Sequence, residues 1–281
     1  MDAPSYTFGD PNEWKIFAEE FPTFLKKLPA LDETINQVIA RQGAHTPKPV
    51  DRVIVTLGWI CANDFKEIIT LCGNGLGIGG LKLLRGLYER AVTAQFLSAY
   101  PEEVEKFFDY NAIHLGKLYS HTEKPFQLMD KLSAEYIEQI KSARKIADER
   151  FKEPLCKECG TSRTLMSWSA YDVLTMAIQA KKKLGLGEES GLDSLYGICY
   201  FMPTFFSFKD WIEFSETAME WKADAERRVV HHAMPAAHFV MLHVLKTQNH
   251  YFGLALDEEL EKRQEDFVAT WRRLKPKPTN D

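Results

Sequence analysis

Apolar residues recur at three- and four-residue intervals along almost the whole chain, and no stretch alternates apolar and polar positions with β-branched residues between turn signals. A chain patterned this way buries its apolar stripes by packing helix on helix, so the expected fold is all-α: a multi-helix bundle, a single domain with peripheral N- and C-terminal helices. At 281 residues, with 18 Phe, 10 Tyr and 6 Trp, it can build a core without disulfides or metal.

The expected division is N-terminal helices over 1–50, a main helical domain over 51–274 and a disordered tail over 275–281. An opening helix is expected from Pro11, capped by Asp10 and interrupted at Pro22. Pro29 then restarts the chain, and a second helix runs from about Leu31 to Arg41. Gly43 and the prolines at 47 and 49 make a loop, after which Asp51 reads as an N-cap. Two long, largely buried helices, Asp51 to Cys72 and Leu76 to Tyr100, meet at Gly73-Asn74-Gly75 and form the centre of the fold. A helix follows Pro101, and a polar surface helix spans Leu132 to Phe151. A loop then carries a cysteine pair, before helices at Thr164 to Leu184, Leu192 to Trp211, Glu213 to Tyr251 (bent near Pro235) and Asp257 to Leu274.

Thirty-five Lys and Arg against 40 Asp and Glu give a net charge of −5, so any attraction to nucleic acid or an anionic membrane must be local. The longest apolar stretches, Val53 to Ala62 and Pro235 to Val244, are too short or too interrupted to cross a bilayer. The start lacks the basic and apolar regions of a secretion signal, and the five cysteines do not make a disulfide framework. A reduced, cytoplasmic setting is the expectation.

Between Leu71 and Tyr110 a glycine-bearing turn is followed by Leu-Lys-Leu-Leu-Arg85-Gly-Leu-Tyr-Glu89, then by Pro101-Glu-Glu and by Phe107-Phe-Asp-Tyr. Trp168 opens a further helix, an Ala-rich stretch follows, and Tyr196 and Tyr200 precede Thr204 and Ser207. This order resembles a bacterial all-helical family known as domain of unknown function 5677, over about residues 60 to 215. That family has a likeness of fold class to the HEPN proteins of toxins and phage defence. Where the resemblance leads one to expect a histidine after the serine, this chain has Ser207-Phe208-Lys209-Asp210.

Four groups of residues carry candidate chemistry. Arg85 and Glu89, four apart, share a helix face; partly buried, they would hold one another charged and orient a phosphate or position a base, or else tie helices together as a salt bridge. On the expectation of burial, Glu89→Ala costs a few kcal/mol. The second group is Arg227, Arg228, His231 and His232, with His238, His243 and His250 beyond. Arg227 and His232 have the Arg-x4-His spacing of HEPN ribonucleases, and the resemblance implies metal-independent RNA cleavage, the histidine taking the 2′-hydroxyl proton and the arginine holding phosphate charge. The plain alternative is a set of packing residues. On a regular helix the two side chains diverge by about 140°, so a shared site needs a break before Pro235 or a second subunit.

Third, Cys156-x-x-Cys159 is half of a structural zinc site, which needs two further ligands, whereas Cys61, Cys72 and Cys199 read as small buried hydrophobes. No other cofactor is expected. Fourth, the glycines from Gly73 to Gly80 join helices, so they signal close helix crossing rather than a dinucleotide fold. Two functions stay open: a HEPN-like ribonuclease of toxin or defence type, with Arg227, His232, Arg85 and Glu89 at its site, and a non-catalytic helical interaction or regulatory module. The partners that match are RNA or another protein, with no membrane, and a homodimer is compatible with both.

Overall fold

The computed structural model describes residues 11–42, 48–126, 133–155, 159–187, 191–204 and 218–271. The expected cap at Asp10, the loop at 43–47, Cys156, Ser207 to Asp210, the junction between Trp211 and Glu213, and the tail at 275–281 lie outside the described residues. The fold is all-α apart from one two-stranded hairpin among the described residues. It divides into two compact units, one of residues 1–99 with 173–281 and one of residues 100–172 inserted between them.

In the larger unit, α1 (Pro11–Glu20) and α2 (Pro22–Gln42) are separated at Phe21, where Pro22 begins the second helix. The restart expected at Pro29 does not occur: α2 runs through it. The missing N–H of Pro29 forfeits one helical bond, while Phe24, Leu31, Ile35 and Val38 stay buried on one continuous stripe. Asp51 is likewise not the cap of α3 (Pro49–Gly73). Lys48 holds that position, and Asp51, at the third helical residue, accepts the Lys48 N–H at 3.0 Å. Its other carboxylate oxygen accepts the Tyr251 hydroxyl at 2.8 Å.

α3 and α4 (Gly77–Ala99) form the expected central pair, and α8 (Ala218–Phe252) packs on both. The turn between α3 and α4 places Gly75 at φ +71°, a backbone state that favours glycine. Close crossing is found at Gly77, whose Cα lies against the Glu226 carbonyl and Val230 of α8. The Glu226 carboxylate accepts the Ile78 N–H at 2.6 Å, capping α4 from another helix. α7 (Val173–Leu184) covers α4, and α9 (Asp257–Trp271) packs on α8 and α2. Cys61, Cys72 and Cys199 are buried as expected, and burial pushes the Cys72 thiol up to about 12.

The break before Pro235 that a shared Arg227–His232 site on one chain would need does not occur, since α8 continues as one helix through Pro235 between buried Met234 and Ala236. Residues 192–204 are not the start of one long helix. A 3₁₀ turn (Leu192–Leu195) leads into a π-helical turn (Gly197–Phe201), anchored where the Tyr88 hydroxyl donates to the Leu192 carbonyl at 3.0 Å.

The smaller unit pairs α5 (Val104–Phe126) with α6 (Ala134–Arg150) around Tyr110, Ile113, Ala147 and Phe151. The segment expected as a plain loop contains the hairpin, β1 (Lys152–Pro154) paired antiparallel with β2 (Ser162–Thr164). Trp168 does not open a helix; residues 166–171 are a bend in which the Ser169 hydroxyl accepts the Tyr171 N–H at 3.0 Å. The Trp168 ring packs edge-on to Phe107.

Candidate functional site

Arg85 and Glu89 stand one turn apart in the middle of α4, where Leu84, Leu87 and Tyr88 take the buried face and leave this pair on the flank. They are joined as the spacing requires: Arg85 Nε donates to Glu89 Oε1 at 2.9 Å. They are not buried, however, with 37% and 39% of their side chains exposed. The apolar tone of α4 suggests a buried position, but it comes from three sides of the helix, and the fourth faces the π-helical turn.

That turn completes the cluster. Arg85 donates from Nη1 to the Thr204 hydroxyl at 2.9 Å, across 119 residues of sequence. Its guanidinium lies 4.3 Å from the centre of the Tyr200 ring, and Tyr200 stacks on Tyr196 with centroids 4.9 Å apart. The Thr204 hydroxyl in turn donates to the Tyr200 carbonyl at 2.8 Å. Arg85 therefore meets a carboxylate, a hydroxyl and an aromatic face at once. Hydrogen bonding to Glu89 raises its pKa further, which holds the charge in place. Tyr200 and Thr204 did not stand out as site residues in the sequence, although their order after Tyr196 is part of the resemblance.

Arg227 and His232 are placed elsewhere. Arg227 turns to α1, where its Nη2 donates to Glu13 Oε1 at 2.9 Å and its Nε donates to Oε2 at 3.5 Å. His232 stands exposed on another face of α8, at the rim of an open groove of about 640 Å³ whose floor includes Ile198, Phe239 and Phe267. His231, beside it, faces Glu20 at 3.3 Å and packs on Phe21. The structure thus brings Arg85 and Glu89 together, and gives Arg227 and His232 different neighbours on an unbroken helix. Cys159 is exposed in the turn before β2. Among the described residues no group of three or more His, Cys, Asp or Glu is arranged to hold a metal.

The exposure of the Arg85–Glu89 pair revises the cost of breaking it. Solvent screens half-exposed charges, so Glu89→Ala is expected to lower stability by about 1 kcal/mol or less, not by the few kcal/mol of a buried pair. Urea midpoints measure this, and a loss above about 2 kcal/mol would mean the pair is desolvated.

A helical bundle with an inserted helical pair, and with an arginine and a glutamate four residues apart clamped to a π turn, is the class of protein that these features define. Residues 51–202 match the model of the Family of unknown function (DUF5677), more than half of the chain, and the chain belongs to that family. The match spans α3 and α4, the whole inserted unit, α7 and the π turn, and so contains Arg85, Glu89 and Tyr200 but not Thr204, Arg227 or His232. No curated protein and no solved structure matches the chain. No helix among the described residues is long and apolar enough to cross a membrane.

Proposed function

We propose that the chain is a non-catalytic helical module of interaction or regulation, and not a HEPN-like ribonuclease of the toxin or defence type. The observation that carries this reading is the course of α8. A ribonuclease site on one chain needs the phosphate-holding arginine and the proton-taking histidine to face the same point. Five residues apart on an unbroken helix, Arg227 and His232 diverge by about 140°. Arg227 is also committed to Glu13, and Arg85 to Glu89 and Thr204. In this reading both arginines are clamps: one fixes α1 to α8, the other fixes the π turn to α4. A ribonuclease would then require a second copy of the chain to bring its arginine to His232.

The test is direct. Purified full chain is incubated with mixed-sequence single-stranded RNA in the presence of EDTA, alongside His232→Ala. The expected result is no cleavage that distinguishes the two proteins. RNA cleavage by the parent that is lost in His232→Ala, with the helical circular dichroism unchanged, would overturn the module reading and support the ribonuclease.

A further inference from the structure

α4, α7, α8 and α9 enclose a cleft of about 530 Å³, within the range usual for sites that bury a small organic molecule. Its lining is mixed. Leu184, Leu186 and Leu260 give it an apolar wall, while Gln95, Lys246 and Glu261 bring polar atoms to the same space.

Three features of those polar groups point to a ligand. Gln95 is 2% exposed and its Oε1 has no hydrogen-bond partner. An acceptor left so in a core costs about 1–3 kcal/mol, and Gln95 is part of the wall of this cleft. Lys246 Nζ donates to Gln264 Oε1 at 3.0 Å, one bond from a group that carries three donors. Glu261 lines the same cleft, close enough for its charge to act on Lys246, yet the two do not close to an ion pair. A second carboxylate of the lining, Asp257, accepts from Asn249 Nδ2 at 2.8 Å, and Lys246 and Glu261 remain as a cation and an anion that border one cavity without joining each other.

We propose that this cleft binds a small zwitterion with an apolar side chain, of the class of the free aliphatic and aromatic amino acids. Lys246 receives the carboxylate, Glu261 receives the ammonium, and the leucine wall receives the side chain. A simple carboxylate would leave Glu261 unmatched, and a simple amine would leave Lys246 unmatched; each would forgo one charge-assisted hydrogen bond. His243, buried in the same lining against Phe239, is held neutral by its burial and so adds no competing charge. The site is separate from Arg85 and from His232, and it stands whether or not the chain cleaves RNA.

The experiment is calorimetric titration of the full chain with L-leucine, L-methionine and L-phenylalanine. The comparison ligands are 4-methylpentanoate, which is leucine without its amino group, and isoamylamine, which is leucine without its carboxylate. At least one amino acid is expected to bind saturably, and both single-charge leucine analogues about tenfold or more weaker than it. Lys246→Met and Glu261→Gln are each expected to weaken that amino acid by about tenfold or more. Glu261 is exposed, so its variant keeps the test valid if Lys246→Met does not fold. Binding of none of the three amino acids, an analogue binding as well as the amino acid, or undiminished binding by the folded variants would each overturn the proposal.

Discussion

Lowering the pH from 7 to 4 is expected to remove several kcal/mol of stability, and His238 and His243 account for much of the loss. Both are buried, at 4% and 5% exposure. His238 lies among Phe24, Phe65, Phe267 and Trp271, and the Trp271 indole N–H donates to its Nδ1 at 3.1 Å, which requires that nitrogen to be unprotonated. His243 packs on Phe239, and beyond its burial the nearby Lys246 also disfavours a second positive charge. Asp266 near His238 and Asp193 near His243 act in the opposite sense, more weakly than burial. The balance lowers both imidazoles from 6.5 to about 4.

The sign follows from proton binding. Above pH 6.5 both states hold these rings neutral and their contribution to stability is complete. As the pH falls below 6.5 the unfolded chain takes up two protons that the folded chain refuses, so stability falls until the folded rings protonate near pH 4. At ~1.4 kcal/mol per pH unit, each ring contributes about 3 kcal/mol across that window. Urea midpoints between pH 7.5 and 5 isolate the histidines, because ordinary carboxylates titrate lower. Equal stability at pH 7 and pH 5 would show that the rings are reached by water.

The substitution Gly77→Ala is expected to cost about 3 kcal/mol. A β-carbon there would land well inside van der Waals contact of the Glu226 carbonyl oxygen and would also press on Val230. A helix carbonyl cannot swing aside as a side chain does, so α4 and α8 would have to part along their crossing. That movement would also strain the 2.6 Å bond from Ile78 N–H to the Glu226 carboxylate. Gly79→Ala, two residues on, is the control: its β-carbon would meet Leu71 at 3.5 Å, ordinary contact, and alanine favours the helix. Thermal melts should separate the two variants clearly. A Gly77→Ala protein as stable as Gly79→Ala would mean that the helices do not cross at this point.

The close crossing at Gly77 was legible in the sequence because small residues between two apolar helices have few other uses. The long helices were legible for the same kind of reason, since their periodicity persists over many turns. Proline was the misleading signal. At Pro29 and Pro235 it marks a lost backbone bond, but each helix continues through it, with buried apolar residues of the same helix before and after. The hairpin escaped notice because strands of three residues are too short to establish an alternation.

In the candidate site, spacing revealed the Arg85–Glu89 pair because both lie on one helix. It did not reveal exposure, which depends on what packs against the fourth side of α4. Nor did it reveal Tyr200 and Thr204 as partners, since the π turn that carries them adds a residue to its turn and shifts the register of every side chain after it. The zinc reading of Cys156 and Cys159 rests on a residue outside the described ones.

A double-mutant cycle measures most directly the proposed role of Arg85 as an internal clamp between α4 and the π turn. Arg85→Met, Thr204→Val and the double variant are compared by urea unfolding at neutral pH. A hydrogen bond to a charged group predicts a coupling of about 1 kcal/mol, with the double variant less destabilised than the sum of the singles. Additive effects, with no coupling, would contradict the clamp and leave Arg85 available for another role.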